Sequence, residues 1–222
     1  MRTDTRYDGP TSVVPLTFGA RAIQLARPSD PDRLLNDPDV LALNARDDYM
    51  PYWAYLWPGA YLLAEAVARE PWPPGVEALE LGCGLGLAGL VGLASGLRVR
   101  FTDYDEAPLR FVAQSVEANG FDPSSYSTGR LDWREPPGDR YPVILGADVL
   151  YERRLVPLVV GVLAKMLDEG GVALLAGPYR VATEDLDGRL SAAGLVAEAS
   201  PLSARTEAGE SVRGTLHRIR RR

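Results

Sequence analysis

The sequence predicts a three-layer α/β domain, with helices on both faces of a mostly parallel sheet and an antiparallel hairpin at its C-terminal end. Short apolar runs alternate with helical patterns through the middle of the chain, which is typical of a parallel sheet. Two further strand patterns, residues 195–199 and 211–219, follow each other with no helix between them. A separate N-terminal hairpin is predicted where residues 11–18 and 21–26 are joined by a glycine-containing turn.

The chain is long enough for one substantial core, and no stretch is typical of a linker between two domains. It has 222 residues, of which 46% are hydrophobic, and a domain of that size can bury most of its large apolar side chains. We expect residues 1–45 to form an extension that carries the N-terminal hairpin and packs on the core. Residues 46–222 are expected to form the main domain.

Composition argues against several functional classes. The net charge is −6 and the pI is near 4.9, so binding to nucleic acid is not expected. No apolar run in the sequence approaches a membrane span of about 20 residues, and the N-terminus, with Asp4 and Asp8, does not resemble a signal peptide. One cysteine and one histidine predict no metal site and a reducing, cytoplasmic location.

The most informative stretch is residues 78–89, which read ALELGCGLGLAG. A short apolar run leads into glycines at alternate positions, Gly82, Gly84 and Gly86, and a helical pattern follows. Glycine permits positive φ and lets a ligand touch the backbone, and the first N–H groups of a helix are unpaired donors. The stretch therefore predicts a strand, a ligand-binding turn and a helix. A turn that merely needs glycine is the alternative.

Two ligand classes fit this turn. Gly84 to Gly89 match the dinucleotide pattern G-x-G-x-x-G, and Asp103 lies 17 residues beyond Gly86, near the position that binds a ribose. Glu80, however, stands at the end of the strand, where its carboxylate would repel a pyrophosphate and attract an amino group. The glutamate therefore favours a cationic ligand over a nicotinamide dinucleotide.

An aromatic stretch precedes the first helix of the main domain. Residues 49–59 read YMPYWAYLWPG, and Pro58 suits the first turn of a helix. We expect Trp53 to pack in the core. Trp57 fits a packing role and a role as the lid of a flat or cationic ligand about equally well.

Polar and aromatic side chains follow the next two strands. The second strand, residues 98–102, ends at Asp103, whose carboxylate can accept hydrogen bonds from both hydroxyls of a ribose. Asp105 is the alternative for that role. The third strand, residues 126–131, ends at Asp132-Trp133, a pair that suits the edge and the face of an adenine.

The fourth strand, residues 143–147, is followed by Asp148 and Tyr151. Because ligands of open parallel sheets bind outside the carboxyl ends of the strands, Asp148 is expected beside the glycine turn. A cap on the following helix is the alternative role for Asp148. The rest of the main domain is predicted as a helix through residue 167, a strand over residues 172–176 and a helix near residues 183–193.

These motifs resemble those of a known family. Glu80-x-Gly82-x-Gly84-x-Gly86 resembles motif I of the class I, seven-strand methyltransferases that use S-adenosylmethionine. Asp148-Val149-Leu150-Tyr151 is similar to the Asp/Glu-x-x-Tyr/Phe motif of protein-lysine methyltransferases in that class, as are the elements LDW at 131–133 and WPG at 57–59. Residues 51–59 most resemble the branch that methylates the beta subunit of electron-transfer flavoprotein.

The resemblance implies a Rossmann-like seven-stranded sheet and S-adenosyl-L-methionine as cofactor, with S-adenosyl-L-homocysteine as product. Asp148 would orient the acceptor and stabilise the methylated cation, and Tyr151 would shape the approach of the amine. Glu80 would lie near the amino end of the methionine moiety. The other residues that we predict to bind the cofactor are Trp57, Gly82, Gly84, Gly86, Asp103, Asp132, Trp133 and Ala147.

The implied function is N-methylation of a lysine side chain on a protein substrate. One alternative is N- or O-methylation of a small molecule, since the same site chemistry serves a small amine. Another is a non-catalytic, cofactor-binding protein, against which the intact Asp148 and Tyr151 argue. A nicotinamide-dependent dehydrogenase is disfavoured by Glu80. The N-terminal hairpin lies outside the shared core, and in such enzymes the regions outside the core determine substrate specificity.

Overall fold

A computed structural model of the protein describes residues 7–178 and 185–222. It contains a seven-stranded sheet and a separate two-stranded hairpin. The hairpin strands are β1 (Thr11–Phe18) and β2 (Arg21–Pro28). The strands of the main sheet are β3 (Glu77–Leu81), β4 (Arg98–Asp103), β5 (Tyr126–Arg130), β6 (Tyr141–Ala147), β7 (Leu167–Gly177), β8 (Leu195–Arg205) and β9 (Ser211–Arg221).

Helices connect most of these strands. They are α1 (Pro38–Asp47), α2 (Pro58–Arg69), α3 (Leu87–Ala94), α4 (Ala107–Ala118), α5 (Val156–Met166) and α6 (Leu186–Ala192). Short 3₁₀ turns lie at Pro31–Asn36, Tyr52–Ala54 and Pro123–Ser125.

The order of strands in the main sheet is β5-β4-β3-β6-β7-β9-β8. The strands from β5 to β7 pair in parallel, whereas β9 lies antiparallel to both β7 and β8. The predicted fold class is therefore confirmed: a mostly parallel sheet with an antiparallel C-terminal hairpin and an additional N-terminal hairpin.

Two hydrophobic layers sandwich the sheet. Helices α2, α3 and α4 share one layer with the N-terminal hairpin, and α5 and α6 form the other. Alternation along β3 sends Ala78 into the first layer and Leu79 and Leu81 into the second. Glu80 lies between those two leucines, so its side chain is on the α3 face of the sheet.

The N-terminal hairpin docks on α4 through backbone hydrogen bonds. Asn119 accepts a hydrogen bond from the amide of Gln24 at 2.8 Å and donates one to its carbonyl at 2.7 Å. The amide of Ala26 donates to the hydroxyl of Ser115 at 2.8 Å. Because Ser115 on α4 and Asn119 just after it pair with backbone groups of β2, the hairpin is fixed in one register on the main domain. The domain boundary at residue 45 stays a prediction.

Several predicted element boundaries differ from the structure. The helix expected to run through residue 167 ends at Met166, and β7 begins at Leu167 because that residue already pairs with Tyr141. The register shifts before Val143, and Gly170 has a φ of +74°, which accommodates the irregularity. Strand β8 continues to Arg205 because it pairs with β9 along its whole length. Residues 183 and 184 of the predicted last helix lie outside the described residues.

Two negative observations apply to residues 7–178 and 185–222. No helix there is both long and apolar enough to cross a bilayer. In the same part of the chain, no three His, Cys, Asp or Glu side chains are grouped as metal ligands would be.

Candidate functional site

The site predicted from the sequence lies at one edge of the sheet. Strand β3 is flanked by β4 and β6, so the chain leaves β3 in one direction and later returns on its other side. Ligands of open α/β sheets bind at such a reversal, outside the carboxyl ends of the strands. The glycine turn follows β3 at this edge, and Asp103, Trp133 and Asp148 lie at or just beyond the ends of β4, β5 and β6.

Gly82 and Gly84 form the accessible part of the turn. Both are half-buried, with φ values of +54° and +50°. A Cβ on Gly82 would lie 3.0 Å from the indole of Trp133, and a Cβ on Gly84 would lie 3.4 Å from the carbonyl oxygen of Trp53. The turn therefore runs between an aromatic ring and the backbone of the Tyr52–Ala54 turn. Its positive φ values favour glycine at both positions, and at Gly82 the indole of Trp133 also leaves little room for a side chain.

Gly86 lies behind the turn. It is buried, its amide donates to the carbonyl of Cys83 at 2.7 Å, and a Cβ there would lie 2.8 Å from Val112 and 3.1 Å from Phe101. This position supports a structural role for Gly86, and its predicted contact with the cofactor stays a prediction. The residue is glycine because φ is +76° at the start of α3 and because α4 and β4 pack against it.

Glu80 is also buried rather than directed at the crevice. Only 2% of it is exposed, and its Oε2 accepts a hydrogen bond from the amide of Gly89 at 3.1 Å. Burial raises the pKa of this carboxyl to about 8, and the nearby charge of Asp103 adds to the rise. Its carboxyl group therefore lies between β3 and the first turn of α3, and the expectation that Glu80 lies near the amino end of the methionine moiety stays a prediction.

Asp103 joins the end of β4 to the glycine turn. Its carboxylate accepts hydrogen bonds from the amide of Gly84 at 2.9 Å and from the amide of Asp105 at 3.1 Å. The residue is 9% exposed, and burial raises the pKa of its carboxyl to about 6 despite these amides. Asp105, the alternative, accepts a hydrogen bond from the hydroxyl of Tyr49 at 2.6 Å and is 4% exposed. Of these two acids, Asp103 contacts the turn.

Asp132 and Trp133 take different positions. Trp133 covers Gly82. Asp132 instead accepts hydrogen bonds from the amide and the guanidinium of Arg134, at 3.0 Å and 2.8 Å, which hold the pKa of its carboxyl below the usual range. Arg134 also lies 5.6 Å from the ring centre of Tyr104. The position of Asp132 thus supports a role in holding Arg134, and its predicted contact with an adenine stays a prediction.

Tyr104 lies beside Arg134 and was not among the residues predicted for the site. It follows Asp103 directly, it is 37% exposed, and the guanidinium of Arg130 lies 4.8 Å from its ring centre. An aromatic residue immediately after a strand-end acid was the available signal.

Four aromatic side chains line one side of the site, and we call Tyr52, Tyr55, Trp57 and Tyr151 the aromatic entrance. The ring of Tyr52 lies 5.8 Å from that of Trp57 and 5.7 Å from that of Tyr151. Tyr55 lies 6.1 Å from Trp57. The indole N–H of Trp57 donates to the carbonyl of Tyr52 at 2.8 Å, yet 38% of Trp57 and 41% of Tyr52 remain exposed. Trp53, by contrast, is buried against Phe111.

Asp148 contacts α2. Its Oδ2 accepts a hydrogen bond from the amide of Gly59 at 2.5 Å, and its own amide donates to the carbonyl of Ala176 at 2.9 Å. The residue has a φ of +52°. The carboxylate therefore accepts a hydrogen bond at the start of α2, a form of the capping role that was the alternative for Asp148, and its predicted role toward the acceptor stays a prediction.

Tyr151 is half-buried in the aromatic entrance. Burial, followed by the charge of Glu152, raises the pKa of its phenol to about 12. The hydroxyl therefore stays protonated and uncharged near neutral pH. The structure gives Ala147, at the end of β6, a half-buried position beside Asp148.

Comparison with known protein families gives a match over most of this region. A family model described as lysine methyltransferase matches residues 55–185, a span that includes the glycine turn, Asp103, Trp133 and the Asp148–Tyr151 element.

Individual proteins give shorter matches. Protein N-lysine methyltransferase METTL21A of Mus musculus is 34% identical over 110 residues, covering 46% of this chain and 49% of that protein. Histidine protein methyltransferase 1 homolog of Dictyostelium discoideum is 31% identical over 109 residues, covering 46% of this chain and 35% of that protein. Each of these matches thus covers about half or less of the length of the relative.

Solved structures share the fold. Magnesium protoporphyrin IX methyltransferase (ChlM) from Synechocystis PCC 6803, solved with bound SAH, superposes with a TM-score of 0.54 and 18% identity, covering 72% of this chain and 78% of that chain.

Proposed function

The chain belongs to the lysine methyltransferase family, and on that premise we propose that it is an S-adenosylmethionine-dependent enzyme that methylates a lysine side chain of a protein. One observation carries the proposal. The Tyr52–Ala54 turn lies beside the glycine turn, since a Cβ on Gly84 would be 3.4 Å from the carbonyl oxygen of Trp53, and the ring of Tyr52 lies 5.7 Å from that of Tyr151. A cofactor at the glycine turn and an amine at the aromatic entrance would therefore be neighbours.

The residues around the glycine turn fit the proposed cofactor. Gly82 and Gly84 offer half-exposed backbone with positive φ, and Asp103 offers a carboxylate to the hydroxyls of a ribose. When bound, S-adenosylmethionine supplies an electrophilic methyl group. We propose direct cofactor contacts for Trp57, Gly82, Gly84, Asp103, Trp133 and Ala147. For Glu80, Gly86 and Asp132 we propose that they support the cofactor site indirectly. Their hydrogen-bond partners are Gly89, Cys83 and Arg134 respectively.

The aromatic entrance suits an amine that must lose its proton. A lysine ammonium has a reference pKa of about 10.4, and removing water from it lowers that pKa. The exposed faces of Tyr52 and Trp57 can bind the cationic forms of the substrate and product. Because the pKa of Tyr151 is about 12, its neutral hydroxyl can direct the amine without adding charge. Most of the rate then comes from alignment of the reacting groups.

A histidine acceptor is the second candidate. The Dictyostelium relative is named for histidine methylation and matches nearly as much of this chain as the mouse lysine enzyme does. Family membership therefore supports a protein acceptor more strongly than it supports one acceptor atom. The more specific likeness to the electron-transfer flavoprotein branch, the cytoplasmic location and the absence of nucleic-acid and membrane partners remain proposals from the sequence.

Isothermal titration calorimetry tests the cofactor directly. We expect S-adenosylhomocysteine to bind and NAD to give no heat. NAD binding without S-adenosylhomocysteine binding would overturn the proposal.

A transfer assay tests the acceptor. The protein is incubated with tritiated S-adenosylmethionine and a lysate of its source cells, and labelled bands are hydrolysed and identified by mass spectrometry. We expect methyl-lysine on a protein. Label on histidine selects the second candidate, and label confined to small molecules overturns both. The chain contains a single lysine, Lys165, so Lys165→Arg removes any self-methylation signal on lysine.

A further inference from the structure

We propose that Asp148 and Gly59 form a positioning pair, in which the carboxylate of Asp148 holds the N-terminus of α2 and so fixes the two sides of the aromatic entrance relative to each other. The inference rests on the proposed function, since it assigns a role in presenting the acceptor. It gives Asp148 an indirect role in place of direct contact with the amine.

The pair links two distant parts of the chain. Asp148 follows β6, where the bond from its amide to the carbonyl of Ala176 anchors its backbone to β7. From there its carboxylate reaches the amide of Gly59, in the first turn of α2, at 2.5 Å. These residues are 89 positions apart, so the hydrogen bond ties the start of the main domain to the centre of its sheet.

Only glycine fits at position 59. A Cβ there would lie 2.4 Å from Oδ2 of Asp148 and 2.8 Å from the carbonyl oxygen of Ala176. Position 177, at the end of β7, is also glycine, and a Cβ there would lie 3.3 Å from Oδ1 of Asp148. The carboxylate thus lies between two glycines, one on the helix and one on the strand.

The N-terminus of α2 depends on this carboxylate. The N-cap residue, Trp57, provides no side-chain hydrogen bond to the helix, although a helix start leaves several N–H groups without intrahelical acceptors. Asp148, the residue after β6, supplies an acceptor for the amide of Gly59. Its negative charge suits the positive end of the helix. To do so it adopts a φ of +52°, a conformation that non-glycine residues rarely take and that clusters at functional sites.

The aromatic entrance has two sides, one formed by Tyr52, Tyr55 and Trp57 and the other by Tyr151. Each member of the pair is close in sequence to one of these sides. Trp57 precedes Gly59 by two residues, and Tyr151 follows Asp148 by three. The two sides meet through Tyr52, whose ring lies 5.8 Å from Trp57 and 5.7 Å from Tyr151. Breaking the hydrogen bond between Gly59 and Asp148 would therefore let the two sides move apart, while the glycine turn on β3 keeps its own contacts.

A double-mutant cycle tests the pair. The variants are Gly59→Ala, Asp148→Gly and their combination, and the readout is the initial rate of tritiated-methyl transfer at limiting lysate concentration. Asp148→Gly removes the acceptor of the hydrogen bond, and glycine tolerates the φ of +52° at this position. We expect each single change to lower the rate by up to about 100-fold, the effect of a small misplacement of reacting groups. The combination should be no slower than the slower single variant, because both changes break one unit. Effects that multiply to about 10⁴-fold would show that Asp148 acts on the acceptor independently of Gly59, and would overturn the proposal.

Controls separate this outcome from misfolding. Gly161→Ala changes an exposed glycine of α5 with no neighbour within 4 Å, and it should leave the rate unchanged. S-adenosylhomocysteine affinity in the single variants should fall much less than the transfer rate does, because Gly82, Gly84 and Asp103 keep their contacts and Trp57 alone belongs both to the aromatic entrance and to the proposed cofactor contacts. A variant that loses cofactor affinity together with transfer contradicts a role confined to the entrance.

A backbone ester gives the sharpest variant. Glycolic acid in place of Gly59 removes the N–H donor and adds no side chain, so it cannot clash with Asp148 or Ala176. The same loss of transfer is expected, and an unchanged rate overturns the proposal even if Gly59→Ala fails to fold.

Hydrogen exchange provides a readout besides activity. The amide of Gly59 should be protected in the original protein and should exchange about 10-fold faster in Asp148→Gly, because that variant has no side-chain acceptor for the amide. Equal exchange in the two proteins contradicts the pair. If the original protein neither binds S-adenosylhomocysteine nor transfers methyl groups, the proposed function fails. If it does both and Gly59→Ala is equally active, only the positioning pair fails.

Discussion

The amide of Gly89 donates a hydrogen bond to the buried carboxyl group of Glu80 at 3.1 Å, and residue 89 has no room for a side chain because a Cβ there would lie 2.4 Å from Oε2. The glycine that completes the dinucleotide-like pattern is thus present because of an acid on the neighbouring strand. This hydrogen bond connects the first turn of α3 to β3, so the two elements that flank the glycine turn are fixed relative to each other.

The burial of Glu80 predicts a pH-dependent stability. The pKa of its carboxyl is raised from 4.5 to about 8, so the folded state holds a proton that the unfolded state has lost across this range. Its contribution to stability is fully present below about pH 4.5 and is lost as pH rises through about 8, with a slope of at most about 1.4 kcal/mol per pH unit. Glu80→Gln keeps an acceptor for Gly89 but cannot ionise, so the variant should lose less stability between pH 6.5 and 8.5.

Urea unfolding of the ligand-free protein at those two pH values checks this. The range lies above the pKa of about 6 for Asp103, so most of that group's titration is complete. Identical changes in the free energy of unfolding for the two proteins would rule out Glu80 as the titrating group.

Substitution at Gly84 is expected to abolish cofactor binding. The residue has a φ of +50°, and a Cβ would lie 3.4 Å from the carbonyl oxygen of Trp53, so Gly84→Arg fills the space between the turn and the residues that cover it. Calorimetry should show at least about a 100-fold loss of S-adenosylhomocysteine affinity, about 2.7 kcal/mol. Gly120→Arg is the matched control, since Gly120 also has a positive φ of +64° but no neighbour within 4 Å. If both variants fold and bind equally well, the turn does not hold the cofactor.

Asp103 and Asp105 should differ in their effects on the cofactor. Asp103→Ala removes a carboxylate that contacts Gly84 and that we propose binds the ribose, so affinity for S-adenosylhomocysteine should fall by about 1.5–3 kcal/mol. Asp105→Ala removes the partner of Tyr49 and should mainly lower the free energy of unfolding. Calorimetry and urea unfolding of both variants check this, and a larger loss of affinity in Asp105→Ala would mean that the acids are assigned in the wrong order.

The order of elements and the family could be predicted because they depend on local patterns. Gly82 and Gly84 marked the turn, Asp103 and Trp133 followed recognisable strands, and Trp57 stood just before a proline that starts a helix. The topology rule for parallel sheets then brought the strand ends together without any knowledge of side-chain contacts.

The direction of individual carboxylates could not be predicted in the same way. Glu80 faces α3 because alternation along β3 puts it on the same face as Ala78, and the only local sign was a glycine nine residues later. The contact between Asp148 and Gly59 joins residues 89 positions apart, and no sequence period links them. Such contacts depend on how α2 packs across the sheet, which only tertiary structure determines.

Tyr151 offers the most direct test of the aromatic entrance. Tyr151→Ala removes a ring that lies 5.7 Å from Tyr52 and should lower the initial rate of methyl transfer at limiting lysate concentration by about 2- to 13-fold, the effect of losing an aromatic pair worth about 0.5–1.5 kcal/mol. Tyr151→Phe keeps the ring and removes only the hydroxyl, so its rate should lie between those of the original protein and Tyr151→Ala. Neither variant should change S-adenosylhomocysteine affinity by more than about twofold.

The pH profile of Tyr151→Phe separates packing from proton transfer. With a pKa of about 12, the phenol does not titrate between pH 7 and 10, so the original protein and Tyr151→Phe should show the same shape of rate against pH in that range. Tyr126→Phe is the control, because Tyr126 packs on Phe101 at the start of β5, away from the entrance. If the dependence of the transfer rate on pH between pH 7 and 10 changes in Tyr151→Phe and not in Tyr126→Phe, the hydroxyl of Tyr151 takes part in proton transfer from the amine. A purely directing role for Tyr151 is then wrong.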